Sequence, residues 1–229
     1  MLNVVILAAG LGTRLGRPHP KPLTPLADGR TILRRQLDLL IGEFGPDLHI
    51  TVVVGFKLNM ILEAAGSEAS FVYNEIFDQT NTSKSLLRAL RLAPPGGVLW
   101  LNGDVVFTRG LLSMLPFTGS FVAVNTDHVG EEEIKYTLDR DGFIQELSKR
   151  VAAGAALGEA VGINYVSLAD RAVLVQHLAE CDDDDYFERA IETAIIESGL
   201  RFSAVDISPF GCVEVDFLPD LERANLIGT

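Results

Sequence analysis

The chain predicts an α/β protein with a doubly wound, mostly parallel sheet and a small antiparallel insert, and three observations carry that expectation. Short apolar, β-branched runs alternate with helical patterns through the first half. The run Asn3–Ala8 is almost continuously apolar, as in a strand buried on both faces. Gly10, Gly55 and Gly103-Asp104 fall just past the ends of such runs, where open α/β sheets keep their ligands.

Each element follows from local pattern. After Asn3–Ala8, Thr31 can cap a helix to about Phe44, because Leu33, Leu37, Leu40, Ile41 and Phe44 recur at helical spacing. His49–Val54 reads as a strand closed by Gly55, Lys57–Ala65 as a helix, and Ser70–Tyr73 as a short strand. Ser83–Leu92 reads as a helix stopped at Pro94-Pro95-Gly96, and Val98–Asn102 as a further buried strand. Right-handed βαβ crossovers would join these strands. From residue 121 the pattern changes. Phe121–Thr126, Ile134–Asp139 and Phe143–Ser148 are short strand-like runs, the last two flanking the turn Arg140-Asp141-Gly142, and they predict an antiparallel subregion over the open end of the sheet. Helical patterns return at Ala169–Glu180 and Tyr186–Glu197. Strands near Phe202–Ile207 and Val213–Val215 and a helix near Leu218–Asn225 follow, all within one expected domain, 1–229.

Composition limits the function. The chain has 229 residues, 48% of them hydrophobic, enough for a full core. No apolar run is long enough to span a bilayer, no basic segment precedes Val4, and Cys181 and Cys212 lack metal-binding spacing, which together suit a cytoplasmic protein. A net charge of −12 argues against nucleic acid or an anionic membrane as partner. Yet no Asp or Glu occurs before Asp28, whereas Arg14, Arg17 and Lys21 do, with His19 beside them. A cation about 4 Å from a phosphate gains roughly 4 kcal/mol at an effective dielectric near 20. Charges beyond about 10 Å are largely screened. Local charge therefore decides, and the opening segment can hold a polyphosphate.

The first strand runs into Ala8-Ala9-Gly10-Leu11-Gly12-Thr13-Arg14-Leu15-Gly16 and then a proline-rich stretch ending Lys21-Pro22. Glycines after a buried strand bring backbone N–H groups close to phosphate oxygens. The segment lacks the Gly-Lys-Ser/Thr of a P-loop, and Leu15 stands where a dinucleotide fingerprint needs glycine. Pro18, Pro20 and Pro22 argue against the long helix that such a fingerprint requires. A plain tight turn would not call for two arginines and a lysine among the glycines.

Leu7-Ala8-Ala9-Gly10-Leu11-Gly12-Thr13-Arg14 with Lys21-Pro22-Leu23 resembles the signature of the sugar-nucleotidyltransferase-like superfamily of NTP transferases. The resemblance implies a Rossmann-like nucleotidyltransferase fold and a loop, Leu7 to Thr13, that wraps the nucleotide. It gives Arg14 the β/γ-phosphates and makes Lys21 the bridge between α-phosphate and acceptor. Tyr73-Asn74, Thr80-Asn81-Thr82 and Ser85-Leu86 are similar to the "N…TNN…SL" segment of small cytidylyltransferases acting on phosphocholine, inositol phosphate or phosphonates. Thr82 and Lys84 replace that segment's second Asn and its aromatic residue. Leu101-Asn102-Gly103-Asp104-Val105 and Glu214-Val215-Asp216 before Leu218-Pro219-Asp220-Leu221 resemble further segments of the same group. On this likeness Asn81, Ser85 and Asn102 are expected on the nucleotide. Glu131-Glu132-Glu133-Ile134-Lys135, Lys149 and Gly158-Glu159 resemble the acceptor side. Lys135 and Lys149 are thus candidates for an acceptor phosphate, and Glu133 and Glu159 for a hydroxyl or ammonium. Residues 1–120 would form the nucleotide-binding half and residues 121–229 the acceptor-binding half.

Asp104 and Asp216 each follow a predicted strand, and two hard carboxylate ligands completed by phosphates and water suit Mg²⁺. The expected reaction joins an NMP, with CTP as the favoured donor, to a small phosphorylated or phosphonate acceptor, with no covalent intermediate. A sugar-1-phosphate nucleotidyltransferase using GTP, UTP or dTTP is the main alternative, and a nucleotide-binding regulatory subunit the non-enzymatic one. The Asp182–Asp185 run is expected to cap a helix, Trp100 to lie in the core, and His128 and His177 to be surface or packing residues.

Overall fold

A computed structural model describes residues 2–12, 15–45, 47–127, 129–130 and 133–227. Seven strands form one path: β1 (Asn3–Ala8), β2 (His49–Val54), β3 (Ser70–Tyr73), β4 (Val98–Asn102), β6 (Phe121–Asn125), β9 (Glu159–Val166) and β10 (Ser203–Asp206). Their order is β10-β6-β9-β4-β1-β2-β3. β1 lies parallel to both β2 and β4, with Val5 opposite Thr51 on one side and Trp100 on the other. β9 runs antiparallel between β4 and β6, and β6 and β10 are again parallel.

The continuous apolar character of β1 is explained by burial on both faces. Val4, Ile6 and Ala8 pack with Leu33, Leu37 and Leu40 of α1 (Ile32–Phe44) and Ile61 of α2 (Leu58–Ala65). Val5, Leu7 and Ala9 pack on the other face with Leu86 and Leu90 of α3 (Thr82–Leu92), Leu174 of α5 (Arg171–Glu180) and Phe187 and Ile191 of α6 (Phe187–Ser198). The period-2 alternation of a strand thus feeds two separate helical layers. Trp100 is fully buried in the second layer, edge-on to Phe187 at 5.6 Å.

Most element boundaries match the sequence pattern. Thr31 caps α1 by accepting a hydrogen bond from the Arg34 amide at 3.1 Å. Helix α2 starts one residue later than the pattern suggests, because Lys57 adopts φ +47°. The strand over 121–125 is corrected: it belongs to the main sheet, paired with β9 and β10, and not to the insert. The insert is the hairpin of β7 (Lys135–Leu138) and β8 (Ile144–Ser148), where Asp139 Oδ1 accepts from the Asp141 and Phe143 amides across the turn. Strand β9 was not predicted, since Gly162 at φ +69° and the buried Asn164 interrupt its apolar run. Also unpredicted are β5 (Val105–Phe107), paired antiparallel with β11 (Cys212–Glu214), and the short α4 (Arg109–Ser113). Helix α7 (Leu218–Leu226) ends the described chain.

The Asp182–Asp185 run does not cap α6 through a side chain. Its N-cap is Tyr186, which makes no such bond. Instead the carbonyls of Asp183 and Asp185 accept from the Asn81 and Ser83 amides at 2.7 and 3.3 Å, and the Phe187 amide donates to Thr82 Oγ1 at 3.1 Å. The amino ends of α3 and α6 are thereby tied together.

Candidate active site

At β1 the chain order reverses: β2 and β3 lie on one side, β4 on the other. A cleft of about 550 Å³ opens there, at the carboxyl ends of β1 and β4. One wall is the loop after β1, with Ala8, Ala9, Gly10 and Gly12. Gly12 has φ +60°, and a Cβ on it would lie 2.9 Å from Lys21 Cβ, so the loop folds back directly over Lys21. Thr13 and Arg14, expected on the phosphates, lie outside the described residues.

Lys21 opens a single 3₁₀ turn, Lys21–Leu23, whose Pro22 and Leu23 are buried. Its Nζ donates to Asp104 Oδ2 at 2.6 Å and to Asp216 Oδ1 at 2.5 Å. Burial pulls the Lys21 pKa down, but the charges and hydrogen bonds of Asp104 and Asp216 outweigh it and leave the pKa raised. The ammonium is thus held in its charged form.

Two carboxylates more than a hundred residues apart in sequence meet because β5 and β11 pair. Glu214 stands opposite Val105, and the Val215 amide donates to Asp104 O at 3.0 Å, so the residues just beyond each strand are neighbours. Gln36 of α1 holds the β4–β5 turn, its Nε2 donating to Asn102 O and Val105 O at 2.9 and 2.8 Å. Gly103 passes so close to β1 that a Cβ would sit 2.6 Å from Leu7 O. Asp220 accepts from the Asp216 and Phe217 amides at 3.1 and 2.7 Å and fixes the start of α7. Asp104 Oδ1 is buried and has no hydrogen-bond partner among the described residues. Beside it, burial and then the Asp104 charge push Glu214 well above the usual carboxylate range.

The opposite part of the cleft is lined by Phe77, Thr80, Asn81, Thr82 and Ser85. Asn74, fully buried behind them, donates from Nδ2 to Thr80 Oγ1 and Ser85 Oγ, both at 3.0 Å. Asn81 has a local task as well. Its Oδ1 accepts from the Thr82 amide at 2.8 Å as N-cap of α3, and its Nδ2 donates to Asp184 O at 3.1 Å. Asn102 lines the cleft, with Nδ2 3.5 Å from Glu214 Oε1.

Of the acceptor-side candidates, Glu133 and Lys149 line the cleft, Lys149 with its Nζ 5.3 Å from the centre of the Tyr186 ring. Lys135 and Glu159 pair side by side on β7 and β9 and are absent from the lining. Lys135 Nζ donates to Glu133 O at 3.2 Å, and Glu159 Oε2 accepts from the Gly130 amide at 2.7 Å. Glu131 and Glu132 lie outside the described residues, as does His128. His177 is buried, with Nε2 2.8 Å from Ser198 Oγ. Burial, followed by the nearby Asp185 charge, pushes the Cys181 thiol up to about 11, and burial raises Cys212 too, so neither offers a ready thiolate. Gln36 and Glu188 are members of the site that no sequence pattern flagged. Both sit on amphipathic helices, where a polar residue reads as solvent-facing.

The fold and this cleft define a class: an α/β domain whose glycine loop, lysine and paired aspartates meet at the switch point of a mostly parallel sheet. The chain belongs to the MobA-like NTP transferase domain family, whose model matches residues 4–185. It is similar to the CMP-5'-(3-aminopropyl)phosphonate synthase of Streptomyces rubellomurinus, 29% identical over 252 residues, covering 98% of this chain and 38% of that protein. It is also similar to the bifunctional protein GlmU of Saccharophagus degradans, 39% identical over 111 residues, covering 48% of this chain and 24% of that protein. The chain thus spans well under half the length of both relatives. Among solved structures, the inositol-1-phosphate CTP transferase from T. maritima superposes with a TM-score of 0.77 at 17% identity, covering 98% of this chain and 95% of that one. The CTP:phosphocholine cytidylyltransferase from Streptococcus pneumoniae superposes at 0.76 with 20% identity, covering 99% and 98%. These likenesses support the fold. No helix among the described residues is long and apolar enough to cross a membrane.

Proposed function

We propose that the chain is a cytoplasmic, Mg²⁺-dependent nucleotidyltransferase that joins CMP from CTP to a small phosphorylated or phosphonate acceptor and releases pyrophosphate. The observation that carries this reading is the Lys21–Asp104–Asp216 triad at the floor of the glycine-loop cleft. The named activities of the phosphonate synthase and the two cytidylyltransferases support the choice of CTP and of the acceptor class.

An acceptor P–O⁻ oxygen attacks the α-phosphorus in line. The new P–O bond forms as the bond to the β-phosphate oxygen breaks, and pyrophosphate leaves with that electron pair. One anhydride replaces another, so the reaction needs alignment and charge neutralisation more than proton transfer. Lys21 would neutralise the α-phosphate and acceptor oxygens as a point charge, and Arg14 the β/γ-phosphates with its guanidinium fork. The amides of Ala8 to Gly12 would receive phosphate oxygens, with Asn102 at the same wall. Thr80 and Ser85, set by Asn74, would meet the base and ribose together with Asn81.

The unpartnered Asp104 Oδ1 and the all-oxygen character of the pair fit a hard divalent cation, which Asp104 and Asp216 would hold. When bound, Mg²⁺ supplies charge neutralisation at the reacting phosphates. On the acceptor side Lys149 and Glu133 line the cleft, while Lys135 and Glu159 would act by holding the hairpin that carries them.

The test is pyrophosphate release with each NTP against phosphocholine, aminoalkylphosphonates, inositol phosphate and hexose-1-phosphates, with Mg²⁺ or EDTA. CTP with a phosphonate or phosphomonoester is expected to be fastest, and Lys21→Ala or Asp104→Ala to lower turnover by about 10³-fold or more. Silence in every combination would overturn the reading. The similarity to GlmU supports a second one, transfer to a hexose-1-phosphate with another base, which the same panel would reveal.

A further inference from the structure

The carboxyl ends of α5 and α6 come together around His177, which stands in the last turn of α5 and reaches Ser198, the last residue of α6. Glu180 of α5 and Glu197 of α6 are exposed beside it, and one donor atom from each of the three lies within 4.8 Å of the others. None of the three lines the cleft.

Exposed carboxylates alone mean little, and the buried imidazole is what marks the place. His177 is only 4% exposed, with Nε2 2.8 Å from Ser198 Oγ. Its Nδ1 has no hydrogen-bond partner among the described residues and faces Glu180 Oε2 at 3.8 Å, too far for a hydrogen bond. With Nε2–H donating to Ser198, two acceptors face each other across that gap, and the Glu197 carboxylate is a third. A proton on Nδ1 serves one carboxylate at a time, whereas a metal ion serves all three groups. Outer partners already orient them as they do in metal sites: Ser198 fixes the far nitrogen of the ring, and Gln176 Nε2 donates to Glu180 Oε1 at 3.1 Å. No Lys or Arg among the described residues is salt-bridged to Glu180 or Glu197, and Lys84 at this end of α5 donates to the Ala179 and Cys181 carbonyls instead. The partial negative charge of two helix carboxyl ends favours a cation further.

We infer that His177, Glu180 and Glu197 bind Zn²⁺, with water as fourth ligand, at a site separate from Asp104 and Asp216. One nitrogen and two carboxylate oxygens suit tetrahedral zinc. At metal–ligand lengths of about 2.0–2.2 Å, tetrahedral donors stand roughly 3.4 Å apart, so from 4.8 Å the exposed glutamates close in by at most about 1.4 Å. Mg²⁺ prefers an octahedron of oxygens, so ligand chemistry keeps the two cations at their own sites. The zinc ion braces α5 against α6, whose first turn brings Phe187 and Glu188 to the cleft.

The test is calorimetric titration of Zn²⁺ into the full chain, into Glu197→Gln and into Ser198→Ala, each also carrying Asp104→Asn so that the paired aspartates are weakened as a competing site. Glu197 and Ser198 are both exposed, so neither change threatens the fold. One equivalent is expected with the intact cluster, bound at least about 10-fold more weakly by Glu197→Gln and about 10-fold more weakly by Ser198→Ala. The chain has four histidines, and ¹⁵N spectra of the imidazoles should show one ring shifting at Nδ1 with the first equivalent. Zn²⁺ should also raise the melting temperature of the intact cluster more than that of Glu197→Gln. Absence of binding, equal affinity in Glu197→Gln, or four unmoved imidazoles would each overturn the inference. So would unchanged affinity in Ser198→Ala, since the ion would then be held by surface carboxylates alone.

Discussion

Replacing Lys21 by Met keeps most of its apolar stem and removes only the charge between Asp104 and Asp216. At the observed N–O distances of 2.6 and 2.5 Å, each contact is worth about 6 kcal/mol at an effective dielectric of 20. Desolvation of the ammonium, 11% exposed, cancels much of that. The carboxylates are 17% and 25% exposed, so water screens what remains. A net loss of about 2 kcal/mol follows, most of it from leaving two like charges facing each other without a cation. Urea denaturation at pH 7.5 in EDTA should show this as a lower midpoint with unchanged slope. The reasoning makes a second demand: a divalent cation can replace the lost charge. Mg²⁺ or Mn²⁺ should therefore stabilise Lys21→Met more than it stabilises wild type, in which Lys21 competes for the same two oxygens. If the variant is as stable as wild type in EDTA, or if both respond equally to the cation, the triad does not hold the site as described.

Two further outcomes can be read from stability alone. Gly103→Ala puts a Cβ 2.6 Å from Leu7 O, so β1 and the β4–β5 turn must part, at a cost of about 2 kcal/mol or more in thermal denaturation; a neutral result would mean the turn moves freely. Burial raises the Glu188 carboxyl from 4.5 to about 7. The folded state then keeps a proton that the unfolded chain releases, so wild-type stability should fall by about 3 kcal/mol as pH rises between those values. Glu188→Gln should reduce that slope, leaving the part that the raised Glu214 contributes, and be the more stable protein at pH 8, as a pH series of denaturation curves would show.

The parts of the fold legible in the sequence are those whose signal is local. β1, β2, β4 and α1 are bounded where their apolar runs begin and end, because burial on both faces or one stripe leaves an unbroken pattern. β9 carries the same burial but is broken by Gly162 and Asn164, so its alternation never forms. β5 is only three residues long, and its meaning lies in β11, far along the chain. The glycine loop, Lys21, Asp104 and Asp216 could be singled out by residue type and flanking strands, yet their meeting at one point is a matter of register that no window of sequence contains. Lys135 and Glu159 show the converse. The resemblance places them on the acceptor side, while in the fold they are register partners on β7 and β9 that bond the backbone of Glu133 and Gly130. Asn81 likewise answers first to the end of α3 and to the carbonyl of Asp184.

The pairing of β5 with β11 also sets an order of assembly. The glycine loop and Lys21 precede β2 to β4 in the order of synthesis, and the central strands β1 to β4 are complete by residue 102. Asp216 arrives only after more than a hundred further residues, so a nascent chain can build much of its sheet while Lys21 has just one of its two carboxylates. A chain cut short before β11 would therefore keep the glycine loop, Lys21 and Asp104 but lose the pairing that brings Asp216 to them.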